Sequence, residues 1–122
     1  MSEQRLHDYL DHIQQAASDA CGFVDGLNKE DFLEDKRTQQ AVIMSLIIMG
    51  EAVTKLMDRH AEFTQAHGQV PWRSMRGMRN RIAHGYFDIN LDVVWETVQT
   101  ALLKLLKQLP DVRHNAKHGN QS

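Results

Sequence analysis

The sequence predicts an all-α protein, an antiparallel four-helix bundle with a short extra helical turn. Three observations carry this. Apolar residues recur at helical spacing through four segments. Alternating β-branched patterns are absent, and both prolines, Pro71 and Pro110, fall at segment edges. The 122 residues are 42% hydrophobic and 25% charged, enough for one core and too few for two domains.

A first helix is read over 3–24, where Leu6, Tyr9, Leu10, Ile13, Ala17, Ala20 and Val24 share a face. Gly22 and Gly26 end it. Asn28 can cap a short turn over 31–35. The second long helix, over 38–60, is apolar on much of its circumference: Val42, Met44, Leu46, Ile47, Ile48, Met49, Val53 and Leu56 all lie in it. A helix wet on so little of its surface is central or covered by a partner chain, so a homodimer is expected. Gly50 and Ala52 permit a neighbouring helix to come close. Glu51 interrupts this helix. A buried carboxylate needs a partner, and Arg76 and Arg79 are the candidates. Glu51 then either orients one of them or acts as an acid.

Gly68 to Pro71 breaks the pattern, and Pro71 suits the first turn of a third helix over 71–84. Trp72, Met75, Met78 and Ile82 form its apolar stripe. Arg76, Asn80 and His84 recur every four residues on another face, with Arg79 beside them. Gly85 suits the position after the helix. Asn90 is the expected cap of a fourth helix carrying Leu91, Val94, Trp95, Val98, Leu102, Leu105, Leu106 and Leu109. Short connections make the four helices antiparallel. Residues 1–110 are read as one domain, and the polar stretch 111–122 as a disordered tail.

No uncharged apolar run reaches the roughly 18 residues of a membrane span, and residues 1–12 carry acid and no signal-like apolar run. Cys21, the single cysteine, is expected as a buried thiol in a reducing cytoplasm. Neither standard glycine-rich phosphate loop is present, nor H-E-x-x-H, nor G-x-S-x-G. His114 and His118 have metal-compatible spacing but fall in the expected tail, and Asp8 with His12 reads as a surface pair. No metal site is expected.

Charge is unevenly spread. Net charge is −2, yet residues 63–87 hold Arg73, Arg76, Arg79 and Arg81 and no acid. That window suits local contact with a phosphate, or is a solvated basic face. RNA cleavage without a metal needs a base for a 2′-hydroxyl, a cation for the phosphorane and an acid for the leaving oxygen. Histidine serves as base or acid near neutrality. Arginine grips phosphate through two donors. Arg79 and His84 supply these types, and Asn80, one turn before His84, can hold the ring or a phosphate oxygen. Five residues apart, the arginine and histidine do not share a stripe. Either the helix end frays, or a dimer joins one chain's arginine to the other's histidine. The alternative is a structural polar cluster at a helix C-terminus.

The string Met78-Arg-Asn-Arg-Ile-Ala-His84-Gly-Tyr86 resembles the signature of HEPN-domain proteins, and more closely of the HepT-like toxins, whose pattern is R-x(4)-H-x-Y. The segments Ile48-Met-Gly-Glu-Ala52, Val70-Pro-Trp-Arg73 and Val93-Val-Trp-Glu-Thr-Val98 are similar to its flanks. The resemblance implies a homodimer with a composite cleft, and a metal-independent endoribonuclease leaving a 2′,3′-cyclic phosphate, without a cofactor. It implies Arg79 and His84 as catalytic residues with Asn80 beside them; from the charge pattern, Arg73, Arg76 and Arg81 are read as RNA-binding and Glu51 as supporting the site. It also implies a toxin paired with an MntA-type nucleotidyltransferase antitoxin, which transfers AMP to Tyr86. The substrate would be tRNA or mRNA. The competing reading is a non-catalytic HEPN module that scaffolds the nucleotidyltransferase or binds nucleotide.

Overall fold

The computed structural model describes residues 2–119, with side chains over 5–116. The elements are α1 (Ser2–Phe23), α2 (Lys29–Glu34), α3 (Lys36–Arg59), α4 (Ala61–Ala66), α5 (Trp72–His84), a 3₁₀ turn (Tyr86–Asp88), α6 (Leu91–Glu96), a π-helical segment (Thr97–Leu102) and α7 (Leu103–Gly119). No strand occurs among the described residues. From α6 through the π segment to α7 the chain runs on as one long helix. The bundle's four long members are therefore α1, α3, α5 and this C-terminal helix.

Its centre is α3, which packs on α1 and on α5, while α1 also packs on the π segment and α7. Leu10 and Ile13 of α1, Leu46, Met49 and Leu56 of α3, and Leu102, Leu105 and Leu109 of the C-terminal helix are fully buried. Each such side chain contributes about 1.5–3 kcal/mol on leaving water. By length and composition α3 is also apolar enough to cross a membrane. Half of its residues in that stretch are buried inside the bundle. Met44 and Ile48 are not: they stand exposed one turn apart on its outer face.

The caps form where short polar side chains precede helical patterns. Asn28 Oδ1 accepts the Asp31 N–H at 2.8 Å, and the Asp31 carboxylate accepts the Asn28 N–H at 3.2 Å, a reciprocal capping box. Asn90 Oδ1 accepts the N–H groups of Asp92 and Val93. The extra turn expected over 31–35 lies at Lys29–Glu34.

Two features depart from the expectations. Helix α4 is six residues long, too short for periodicity to reveal. The loop after it is pinned by the Trp72 indole N–H, which donates to the His67 carbonyl at 3.0 Å. The second departure corrects the tail: 111–119 is helical, and α7 passes straight through Pro110. A proline inside a helix costs roughly 3 kcal/mol, through a lost hydrogen bond and a clash one turn back. Val112 and Ala116 offset that cost, for both are buried and continue the stripe of Leu105 and Leu109. An Arg113–Asp11 ion pair adds a tie to α1. Cys21 is only partly buried, and burial raises its thiol pKa.

Candidate active site

The close approach of α3 and α5 begins at Gly50. A Cβ placed there would lie 2.3 Å from Arg79 Cβ and 2.8 Å from its Cγ. Only a glycine lets the stem of Arg79 cross α3 at this point. The guanidinium then runs along α3. Its Nε lies 3.0 Å from Glu51 Oε1, an ion-pair contact without a directed hydrogen bond. One of its terminal nitrogens reaches the Thr54 hydroxyl at 3.5 Å, and that hydroxyl donates to the Gly50 carbonyl at 2.8 Å. The Arg79 side chain is 22% exposed and that of Glu51 is 51% exposed.

Glu51 is therefore not the buried carboxylate expected. It sits on the open face of α3, because the apolar circumference of that helix ends there. Its partner is Arg79 rather than Arg76. Arg76 instead pairs with Asp58, about two turns further along α3, at 3.8 Å. Thr54 and Asp58 escaped the sequence reading. The stripe Gly50, Glu51, Thr54 and Asp58, spaced as one helix face, was the signal available for both.

The other arginines are scattered. Arg73 lines a cleft at the opening of α5 with Thr64 and Ser74. Arg81 folds back along α5, its Nη1 3.6 Å from where a Cβ on Gly77 would stand. The single basic face suggested by the charge count does not exist.

His84 closes α5 and is exposed, as is Asn80 one turn before it. Arg81 and His84 lie in the last turn, where cations complement the helix dipole. The helix end does not fray toward Arg79. Gly85 N–H donates to the Arg81 carbonyl at 3.0 Å, and Gly85 has φ −138°, so its place needs no left-handed backbone. No hydrogen bond joins Asn80 or Arg79 to His84 among the described residues. On an ideal helix Arg79 and His84 lie about 140° apart around the axis. One chain thus holds its arginine on α3 and shows its histidine to solvent.

Tyr86 follows in the 3₁₀ turn. It is 45% exposed and meets Phe87 edge-on, with ring centroids 5.8 Å apart. Phe87 is 97% exposed. Among the described residues the Tyr86 hydroxyl has no hydrogen-bond partner. No group of three or more His, Cys, Asp or Glu among the described residues could hold a metal ion. The side chain of His118 lies outside the described residues.

A family model described as Ribonuclease HepT-like matches residues 13–112, which include α3, α5 and the 3₁₀ turn. The chain belongs to the HepT-like ribonuclease family. A protein of Caldanaerobacter subterraneus whose name assigns it to the RNases is 37% identical over 109 residues, covering 89% of this chain and 95% of its own length. A protein of Thermococcus cleftensis, named "Probable ribonuclease HepT", is 37% identical over 90% of this chain and 98% of its own. A Methanocaldococcus jannaschii protein, also named as an RNase, is 32% identical over 92% of this chain and 90% of its own. No solved structure matches the chain. The R-x(4)-H-x-Y residues of this HepT-like chain therefore lie on α5 and the turn that follows it.

Proposed function

We propose that the protein is a metal-independent endoribonuclease whose site is completed by a second copy of the chain. The observation that carries this is the division of α5. Arg79 is anchored on α3 by Glu51 and Thr54, while His84 projects from the helix end. A two-fold pairing across the outer face of α3 would cover Met44 and Ile48 and bring Arg79 of one copy to His84 of the other. His84 accepts the proton of a 2′-hydroxyl. The 2′-oxygen attacks phosphorus, and Arg79 stabilises the charge on the phosphorane. The P–O5′ bond breaks, the 5′-oxygen takes a proton from solvent, and a 2′,3′-cyclic phosphate is left. Asn80, on the His84 face of α5, holds a phosphate oxygen.

Complementation tests this. Arg79→Ala and His84→Ala should each be inactive on RNA with a chelator present. Co-expressed, the two should regain part of the wild-type rate, because a mixed dimer rebuilds one site. Failure to regain activity, with both variants folded and dimeric, rejects the shared site.

The same geometry supports control through Tyr86, in a toxin–antitoxin pair. Its free, exposed hydroxyl can attack the α-phosphorus of ATP in a partner nucleotidyltransferase, releasing pyrophosphate. The bound AMP then places a charged phosphate two residues from His84 and repels RNA. Intact mass of the chain co-expressed with such an enzyme should rise by one or more AMP units. Tyr86→Phe should show no rise while keeping ribonuclease activity; labelling of that variant would place the acceptor elsewhere.

A further inference from the structure

Phe87 is the middle residue of the 3₁₀ turn, and at 97% it is the most exposed large hydrophobic side chain among the described residues. The turn that carries it is tied down. The Asp88 N–H donates to the Gly85 carbonyl at 2.9 Å, and the Ile89 N–H to the Tyr86 carbonyl at 3.4 Å. Ile89 then packs against the core, and Asn90 caps α6. The backbone is thus fixed on both sides of Phe87 with the ring in water, and the Tyr86 ring braces it edge-on. We propose that the face of Phe87 is a stacking platform for one base of a single-stranded RNA, beside the cut. The proposal rests on the ribonuclease reading above.

Size, surroundings and place favour a base over a protein partner. Phe87 with half-exposed Tyr86 is a single aromatic pair, whereas a stable protein interface buries roughly 800 Å² on each side. The neighbouring His84 and Asp88 are exposed and polar, and the cores of protein interfaces are depleted of charge. A flat apolar face among polar groups suits an unpaired base, which presents one π-face to stack and keeps its edges in water. Place follows from the chain itself. Phe87 comes three residues after His84, so their Cα atoms are at most about 11 Å apart. The base on the ribose that meets His84, or the next base along the strand, falls within that reach. Both residues belong to one chain, so this bound holds however two copies pair. Stacking uses no hydrogen-bonding edge, and the platform therefore holds the strand without selecting its sequence.

The test uses the full chain and short single-stranded RNAs. Phe87→Ala should lower kcat/KM about tenfold whatever the bases at the cut. The loss should fall in KM, because the stack is the same in the ground and transition states. Phe87→Trp should keep wild-type cleavage. An RNA lacking the base on one side of the cut should lose about as much with wild type, and lose nothing further with Phe87→Ala. Wild-type cleavage by Phe87→Ala, or losses that multiply when both changes are combined, overturns the platform. So does a Phe87→Ala chain that sediments as a smaller species than wild type, since the ring is then an anchor between protein chains. If no His84-dependent cleavage is found at all, it is the ribonuclease reading that fails. The platform is then judged by fluorescence of Phe87→Trp, whose new indole is exposed while Trp72 and Trp95 are buried. Quenching by single-stranded RNA beyond that seen in wild type sustains it, and equal quenching overturns it.

Discussion

The two ends of the R-x(4)-H-x-Y segment are built on opposite principles. Arg79 is held: its stem crosses α3 over Gly50, and its head is shared between Glu51 and Thr54. His84 and Tyr86, five and seven residues later, are exposed and make no side-chain hydrogen bond or ion pair among the described residues. A guanidinium that must meet a phosphate in one orientation gains from being fixed in advance. A base and an acceptor hydroxyl that must be reached, by RNA or by another enzyme, gain from standing clear. Stability and activity should therefore separate along this short stretch.

Replacing His84 sharpens the contrast most. His84→Ala should lower RNA cleavage by about 10²–10⁴-fold, the range for a lost acid–base group. Its melting temperature should match wild type, since the ring is exposed. A large loss of stability would show that His84 is packed and the open end is not open.

At the held end, stability and activity should fall together. Gly50→Ala sets a Cβ against the stem of Arg79, so α3 and α5 must move apart. A cost of about 1–3 kcal/mol is expected, as for overpacked cores. Denaturation by urea measures it, and an unchanged midpoint would mean that the helices slide at no cost.

Glu51→Gln breaks the same end more gently. The pair is half exposed, so its loss should cost less than about 1 kcal/mol. RNA cleavage should fall several-fold all the same, because Arg79 loses the partner that orients it. Equal activity in the two proteins would leave Glu51 without a part in the site.

The smallest effect lies away from this segment. Burial lowers the pKa of His60 and of His67 below the ordinary 6.5, and the charge of Arg59 lowers that of His60 further. Folding therefore favours the neutral rings, while the unfolded chain binds protons more readily. Their stabilisation is present above pH 6.5 and is lost as pH falls below it through their lowered pKa values. The melting temperature should fall as pH is lowered from above 6.5, and fall less in His67→Gln.

Much of the fold is legible in the sequence. Local chemistry sets the periodic stripes of α1, α3, α5 and the C-terminal helix, and the caps at Asn28 and Asn90. The short α4 was not legible, because six residues hold too few apolar positions to show a period. The course of the chain past Pro110 differs from the sequence expectation. Proline's cost is local and visible in the sequence, whereas the burial of Val112 and Ala116 that offsets it depends on packing within the bundle.

For the site, residue types and spacing along the chain named Arg79, Asn80, His84 and Tyr86 as a group. Spacing alone left open whether Arg79 and His84 meet within one chain and whether Arg76 or Arg79 pairs with Glu51. It also suggested one basic face where Arg73, Arg79 and Arg81 in fact point to different places. Those points were decided in three dimensions, for a concrete reason. At Gly50 the helices come close enough that Arg79 is committed to α3, and once one side chain is fixed there, the helical turn sends the rest of the motif elsewhere.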